Sequence, residues 1–108
     1  MPIASELCDA IHSLRVLEFD YERRHRVVHP YLHGRTRPGK EALRGVQVGG
    51  QSRSRHFGEG KLWHLAKISN LKLTTAVFVP DDPHYNPEDS AFVHVHCRVP
   101  RRADANEG

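Results

Sequence analysis

The spacing of apolar residues predicts one short helix near the start of the chain. Ser5 is a favourable capping residue, and an apolar stripe with helical spacing follows it to about residue 14. The stripe consists of Leu7, Ala10, Ile11 and Leu14. A helix this short is only marginally stable alone, so its apolar face must pack against another element.

After residue 14 the apolar period changes to two, which is typical of strands with one buried face. The strand-like runs are RVLEFDY (15–21), RVVHPYLH (26–33), EALRGVQVGG (41–50), LWHLAKI (62–68), LKLTTAVFV (71–79) and AFVHVHCRV (91–99). Pro30 lacks an amide hydrogen, so its strand should be bent, bulged or at a sheet edge. In the last run, Val93 and Cys97 should point inward, and Phe92, His94 and His96 outward.

One helix and five or six short strands in 108 residues predict a mainly β fold with a single modest core. The most economical architecture is a small SH3/Sm-like antiparallel barrel capped by the N-terminal helix. We expect one domain over residues 1–100 and a disordered polar tail over residues 101–108. No apolar run approaches the roughly 18 residues of a membrane-spanning helix, so no membrane partner is expected.

The cysteine content and the N-terminal sequence predict a cytoplasmic protein. No basic start followed by an apolar block is visible, so a secretory signal is not expected. Small buried core residues are the simpler interpretation of Cys8 and Cys97, and a single disulfide remains the alternative.

Positive charge is concentrated in the middle of the chain. Residues 23–67 contain eleven Lys or Arg and two acids, a net charge of +9, whereas residues 1–22 sum to −4 and residues 68–108 to −2. Such a block indicates either a solvated surface or an interaction face. Strand spacing places Arg26 and Arg44 among apolar neighbours, where an arginine must pair with an acid, lie at a rim or await an anion.

The strand cations and the cations of the loop before residue 60 are therefore candidates for binding an anion. Arginine suits phosphate because its planar fork donates paired hydrogen bonds, and an aromatic ring such as Tyr31 or Phe57 can stack on a base. Trp63 is instead expected in the core. The predicted ligand-binding residues are Arg26, Tyr31, Arg44, Arg53, Arg55 and Lys67.

Three segments, in this order, resemble the WYL domain, a small Sm/SH3-like barrel found mainly in bacterial regulators. LEFDY…RRHRVVHPYLHG is similar to that family's opening hairpin, with His29 in place of the usual Glu. GKEALRGVQ is similar to the strand that carries the Trp-Tyr-Leu triplet, of which only Leu43 is present. LWHLAKISNLKL is similar to the strand FRLDRI, with Lys67 in place of an arginine.

The resemblance implies a ligand-sensing module with a basic pocket for a nucleotide or single-stranded nucleic acid. WYL domains usually follow a helix-turn-helix domain in transcription regulators, and some occur in phage-defence systems. Here strand character begins at about residue 15, so a separate protein partner would have to supply the DNA-binding part. The alternative is a protein-interaction subunit that docks a basic face or strand edge on an acidic partner.

The nine histidines raise the question of a metal site. His94 and His96 lie two residues apart on one strand face, a spacing that can bind zinc, and Cys8 and His12 share a helix face. Cys97 should point away from both strand histidines and no CxxC pair is present, so we predict exposed histidines and no metal. Glycine-rich phosphate motifs, GxSxG and HExxH are also absent, which predicts no catalytic residues, no cofactor and no enzymatic activity.

Overall fold

The computed structural model of the protein describes residues 3–51 and 60–100. Helix α1 (Ile3–Ser13) is followed by strands β1 (Arg15–Tyr21), β2 (Arg24–Thr36), β3 (Glu41–Gly50), β4 (Gly60–His64), β5 (Ile68–Val77) and β6 (Phe92–Arg98). A single 3₁₀ turn, Leu65–Lys67, separates β4 from β5. The predicted disordered tail at 101–108 and the candidate loop residues Arg53, Arg55 and Phe57 lie outside the described residues.

Strand β2 is the centre of an antiparallel sheet with the order β4-β3-β2-β1-β5. Its first half pairs with β1, as far as Val28, and its second half pairs with β6, from Leu32 onward. Pro30 falls between these two ladders, where no amide hydrogen is required, and the pairing with β3 shifts register after it. The predicted irregularity at Pro30 is therefore confirmed, within a central strand.

The core lies between α1 and the concave face of this sheet. Leu7, Ala10 and Ile11 are fully buried, as the helical stripe predicts, and they pack with Leu17 and Phe19 of β1. Burying such side chains contributes about 1.5–3 kcal/mol each, which explains why a helix of eleven residues is stable here.

The interruption between the fourth and fifth strands differs from the prediction. The sequence indicated a break at Ser69-Asn70, but β5 runs through these residues and the break lies at Leu65–Lys67. Asn70 has a positive φ of 52°, a conformation that Asn tolerates, and the β1–β5 register shifts beside it. The polar pair therefore marks a bulge, which Asn70 secures by donating a hydrogen bond of 2.7 Å to Asp20.

The alternation predicted for β6 is wrong at its start. Phe92 is buried, whereas Val93 is 54% exposed. The β2–β6 pairing shifts register at two points, and strict alternation does not hold across a bulge. Gly34 leaves room for this arrangement, because a Cβ there would lie 2.2 Å from the His94 carbonyl oxygen and 3.0 Å from the Phe92 ring.

Cys8 and Cys97 form a disulfide that joins α1 to β6 across 89 residues of sequence. Both are packed in or against the main core, so their predicted location is confirmed. The expectation that they are separate thiols is wrong, because the same packing brings the helix face and the β6 inner face within bonding distance.

The described residues form a mainly β structure with one N-terminal helix, as predicted. The sheet is not closed: within the described residues, β4 and β5 stand at opposite ends of the strand order. A search of the described residues for a bilayer-crossing helix found none of sufficient length and apolarity.

Candidate ligand-binding groove

Arg26 lies inside the protein rather than on a binding surface. Its side chain is 5% exposed, and its guanidinium lies 5.5 Å from the Trp63 ring and 5.9 Å from the Tyr21 ring. It donates hydrogen bonds to the Tyr21 carbonyl oxygen and to Gln47 Oε1. Burial lowers the pKa of Arg26, while the nearby Glu22 carboxylate opposes that shift. Each of the three guanidinium nitrogens of Arg26 thus donates one hydrogen bond to a group of the protein itself.

Arg44 is paired with an acid from a distant part of the chain. Its Nε donates to Asp89 Oδ2 at 2.7 Å, and a second nitrogen donates to Asp89 Oδ1 at 3.4 Å. The two side chains are 26% and 14% exposed, so this forked pair is partly shielded from water. Asp89 also accepts the Ala91 amide hydrogen bond, so the pair holds the segment before β6 against β3.

The Arg44–Asp89 pair provides a test of charge pairing that is independent of any ligand. We expect Arg44→Glu to lower the free energy of unfolding by about 2 kcal/mol, because two carboxylates would face each other in a half-buried site. Arg44→Glu/Asp89→Arg should recover at least half of that loss, measured by urea denaturation. A double variant no more stable than Arg44→Glu alone would contradict the pairing.

Tyr31 is 3% exposed and cannot present its ring to a base. Its hydroxyl oxygen accepts a 3.1 Å hydrogen bond from the Asp82 amide, and burial raises the pKa of Tyr31. Together with Arg44 it lines a cleft of about 220 Å³ that also contains Asp82 and Asp89. Two carboxylates against one guanidinium make this cleft unsuitable for an anion.

Lys67 lies on a larger and chemically different surface, which we call the Lys67 groove. It is an open depression of about 690 Å³ beside the 3₁₀ turn, within the range of about 300–1,000 Å³ typical of ligand sites. Its lining residues are Lys40, Glu41, His64, Leu65, Ala66, Lys67 and Ile68. The lining of the groove therefore combines apolar side chains with two lysines, a histidine and one acid.

The cations of the Lys67 groove are available to a ligand. Lys40 and Lys67 are exposed, and neither ammonium has an ion-pair partner among the described residues. His64 Nδ1 is buried and lacks a hydrogen-bond partner in the same part of the chain. The single acid, Glu41, has one carboxylate oxygen 3.2 Å from His33 Nε2 and 2.9 Å from His96 Nε2.

The predicted site residues therefore do not converge. Arg26 is in the core, Tyr31 and Arg44 line the small acidic cleft, and Lys67 lines the groove. Arg53 and Arg55 lie outside the described residues. Lys40 and His64 were not predicted to bind. Lys40 lies in a turn, where a cation is usually solvated, and only the fold brings it to the same groove as Lys67.

Comparisons with protein-family models, with curated proteins and with solved structures found no match for this chain. The WYL resemblance thus remains a prediction from its three sequence segments.

Proposed function

We propose that this protein is a binding module that captures a nucleotide or a short stretch of single-stranded nucleic acid in the Lys67 groove, without catalysing a reaction. The observation that carries the proposal is that two exposed lysines, Lys40 and Lys67, line one depression together with apolar side chains. Phosphate oxygens would pair with the ammonium groups. A base or sugar would contact Leu65 and Ile68.

Two further features support an anionic ligand of this kind. His64 lines the groove with a ring that can carry a positive charge, and its buried Nδ1 has no hydrogen-bond partner among the described residues. Arg35 and Arg37 are also exposed, and Arg35 is paired with the groove residue Glu41 in the β2–β3 ladder, so these arginines add positive charge close to the groove.

The family resemblance fits this proposal in part. Lys67 occupies a basic position of the similar WYL strand, whereas Arg26 and Arg44 at the other basic positions are engaged within the protein. We therefore propose a WYL-like module of the SH3/Sm-like type. Its ligand would contact residues at the 3₁₀ turn rather than the basic strand positions occupied by Arg26 and Arg44. A role in regulation or phage defence, in the cytoplasm and with a separate DNA-binding chain, belongs to the same proposal.

Replacing the two groove lysines should weaken binding and reduce its salt dependence. We expect Lys40→Gln/Lys67→Gln to lower affinity for labelled single-stranded DNA, RNA or a nucleotide about tenfold or more. For an oligonucleotide, the slope of log K against log salt should fall by about 1.4, because each phosphate contact on a single strand contributes about 0.7. Fluorescence polarisation at several salt concentrations measures both quantities.

The matched control is Arg15→Gln/Lys72→Gln, which removes the same charge at exposed positions of β1 and β5. This variant should bind nearly as the unaltered protein does. Equal losses in the two variants would mean non-specific attraction and would refute the groove, as would no binding by the unaltered protein. A pull-down that retains an acidic protein after nuclease treatment would favour the protein-interaction alternative instead.

A further inference from the structure

Two histidines and one carboxylate form a cluster on the β3–β2–β6 part of the sheet. Glu41 of this cluster also lines the Lys67 groove, whereas His33 and His96 do not. His33 of β2, Glu41 of β3 and His96 of β6 come from three adjacent strands. Oε1 of Glu41 is 3.2 Å from His33 Nε2 and 2.9 Å from His96 Nε2. The ligand atoms of the three residues all lie within 4.8 Å of one another.

His33 carries an unsatisfied nitrogen at the centre of this cluster. Its side chain is completely buried, yet its Nε2 forms no hydrogen bond of acceptable geometry among the described residues, despite the short contact with Glu41. Buried polar atoms are nearly always satisfied, and an ion is one of the partners that can satisfy them. The unsatisfied Nε2 atom therefore indicates that a bound group, such as a metal ion, belongs beside it.

The other nitrogen of His33 faces sulfur. Nδ1 lies 3.9 Å from Cys8 Sγ, and because a disulfide sulfur can only accept, this contact is a hydrogen bond in the tautomer that carries its proton on Nδ1. A proton on Nδ1 leaves the lone pair of the neutral ring on Nε2, on the side of Glu41 and His96. Fixing the tautomer in this way is what outer-shell contacts do for metal-binding histidines.

We propose that His33 Nε2, His96 Nε2 and the Glu41 carboxylate bind one divalent transition-metal ion of the zinc type. Zinc lies about 2.0–2.1 Å from nitrogen and oxygen ligands, so tetrahedral ligand atoms are about 3.3 Å apart. The contacts of 2.9 and 3.2 Å already match this spacing. His96 is 32% exposed, so its ring can adjust to close the remaining separation, and water would occupy the fourth position.

The chemistry of the ligand set selects the class of metal. Imidazole nitrogens favour zinc and its transition-metal neighbours, whereas calcium and magnesium prefer oxygen ligands only.

A second possible ligand group consists of Cys8, His33 and Cys97, and it has His33 in common with the proposed site. In the oxidised protein its sulfurs are joined to each other, so no thiolate is available to compete for the ion.

Titration of the oxidised, chelator-treated and tag-free protein with Zn²⁺ by calorimetry tests the proposal. We expect one ion per chain, and we expect His96→Ala and Glu41→Gln each to weaken binding at least about tenfold. Replacement of Zn²⁺ by Co²⁺ should give the intense visible absorption of a four-coordinate ion. Both substitutions affect partly exposed side chains, so the far-ultraviolet circular dichroism should remain that of the unaltered protein.

His12→Ala is the matched control, because His12 is an exposed histidine of α1 that is not one of the three proposed ligands. It should leave zinc affinity unchanged. Lys40→Gln/Lys67→Gln should also leave zinc affinity unchanged, and because Glu41 lines both sites, this variant distinguishes loss of nucleotide binding from loss of metal binding. Absence of stoichiometric zinc, or equal affinities for His96→Ala and His12→Ala, would overturn the proposal.

Discussion

Loss of the Cys8–Cys97 disulfide is expected to lower the free energy of unfolding by about 4–5 kcal/mol. The bond closes a loop with a sequence separation of 89 residues, and in the chain-entropy model a loop of this size constrains the unfolded chain by about that amount. Small domains have total stabilities of about 5–15 kcal/mol, so the loss would leave the fold marginal. Urea denaturation of Cys8→Ala/Cys97→Ala beside the oxidised protein measures the difference.

Reduction of the unaltered protein provides the control for this experiment. A reductant should destabilise the wild-type chain by nearly the same amount and should have no effect on Cys8→Ala/Cys97→Ala. A difference below about 1 kcal/mol between the oxidised protein and the double variant would show that α1 and β6 hold their places through packing alone. The same experiment bears on the expected cytoplasmic location, because stable disulfides are rare in the reducing cytoplasm.

The sequence predicted those elements whose local pattern agrees with their burial. Most positions of the α1 stripe and of the β1 alternation are buried as predicted, with two exceptions. Leu14 follows the helix and is only partly buried, and Val16, on the other face of β1, is buried as well. Prediction failed for β6, because which of its side chains point inward depends on Gly34 of β2. Since Gly34 has no side chain, the Phe92 ring can pack next to its backbone. Such a register shift is a property of two strands together, so neither strand's own pattern can reveal it.

The candidate site was harder to predict for a related reason. Acids are scarce near Arg44 in sequence, yet its partner Asp89 lies 45 residues away. The histidines show the same limitation: His94 and His96 were noted as neighbours on one strand, whereas the short contacts of His96 include Glu41 and the ring of His33. Charge and ligand counts within a segment cannot replace knowledge of which strands are adjacent.

Arg26→Ala is expected to lower the free energy of unfolding by about 3–5 kcal/mol. The substitution would leave the Tyr21 carbonyl and Gln47 Oε1 without their buried donor, at about 1–3 kcal/mol. It would also remove a cation from the Trp63 ring and open space in the aromatic cluster, which adds a similar amount. Equilibrium unfolding in urea, followed by Trp63 fluorescence, reports on this cluster directly.

Two further variants separate this structural role of Arg26 from the ligand-binding role predicted from the sequence. Arg26→Lys keeps the charge but loses the planar fork that reaches Tyr21 and Gln47, so we expect an intermediate loss of about 1–2 kcal/mol. Arg35→Ala, at an exposed position of the same strand, should change stability by no more than about 0.5 kcal/mol. An Arg26→Ala protein that is as stable as the unaltered protein but binds nucleotides or single strands more weakly would support the predicted ligand-binding role of Arg26. Because the Arg26 side chain is 5% exposed and each of its three guanidinium nitrogens donates to Tyr21 or Gln47, we expect the loss of stability instead.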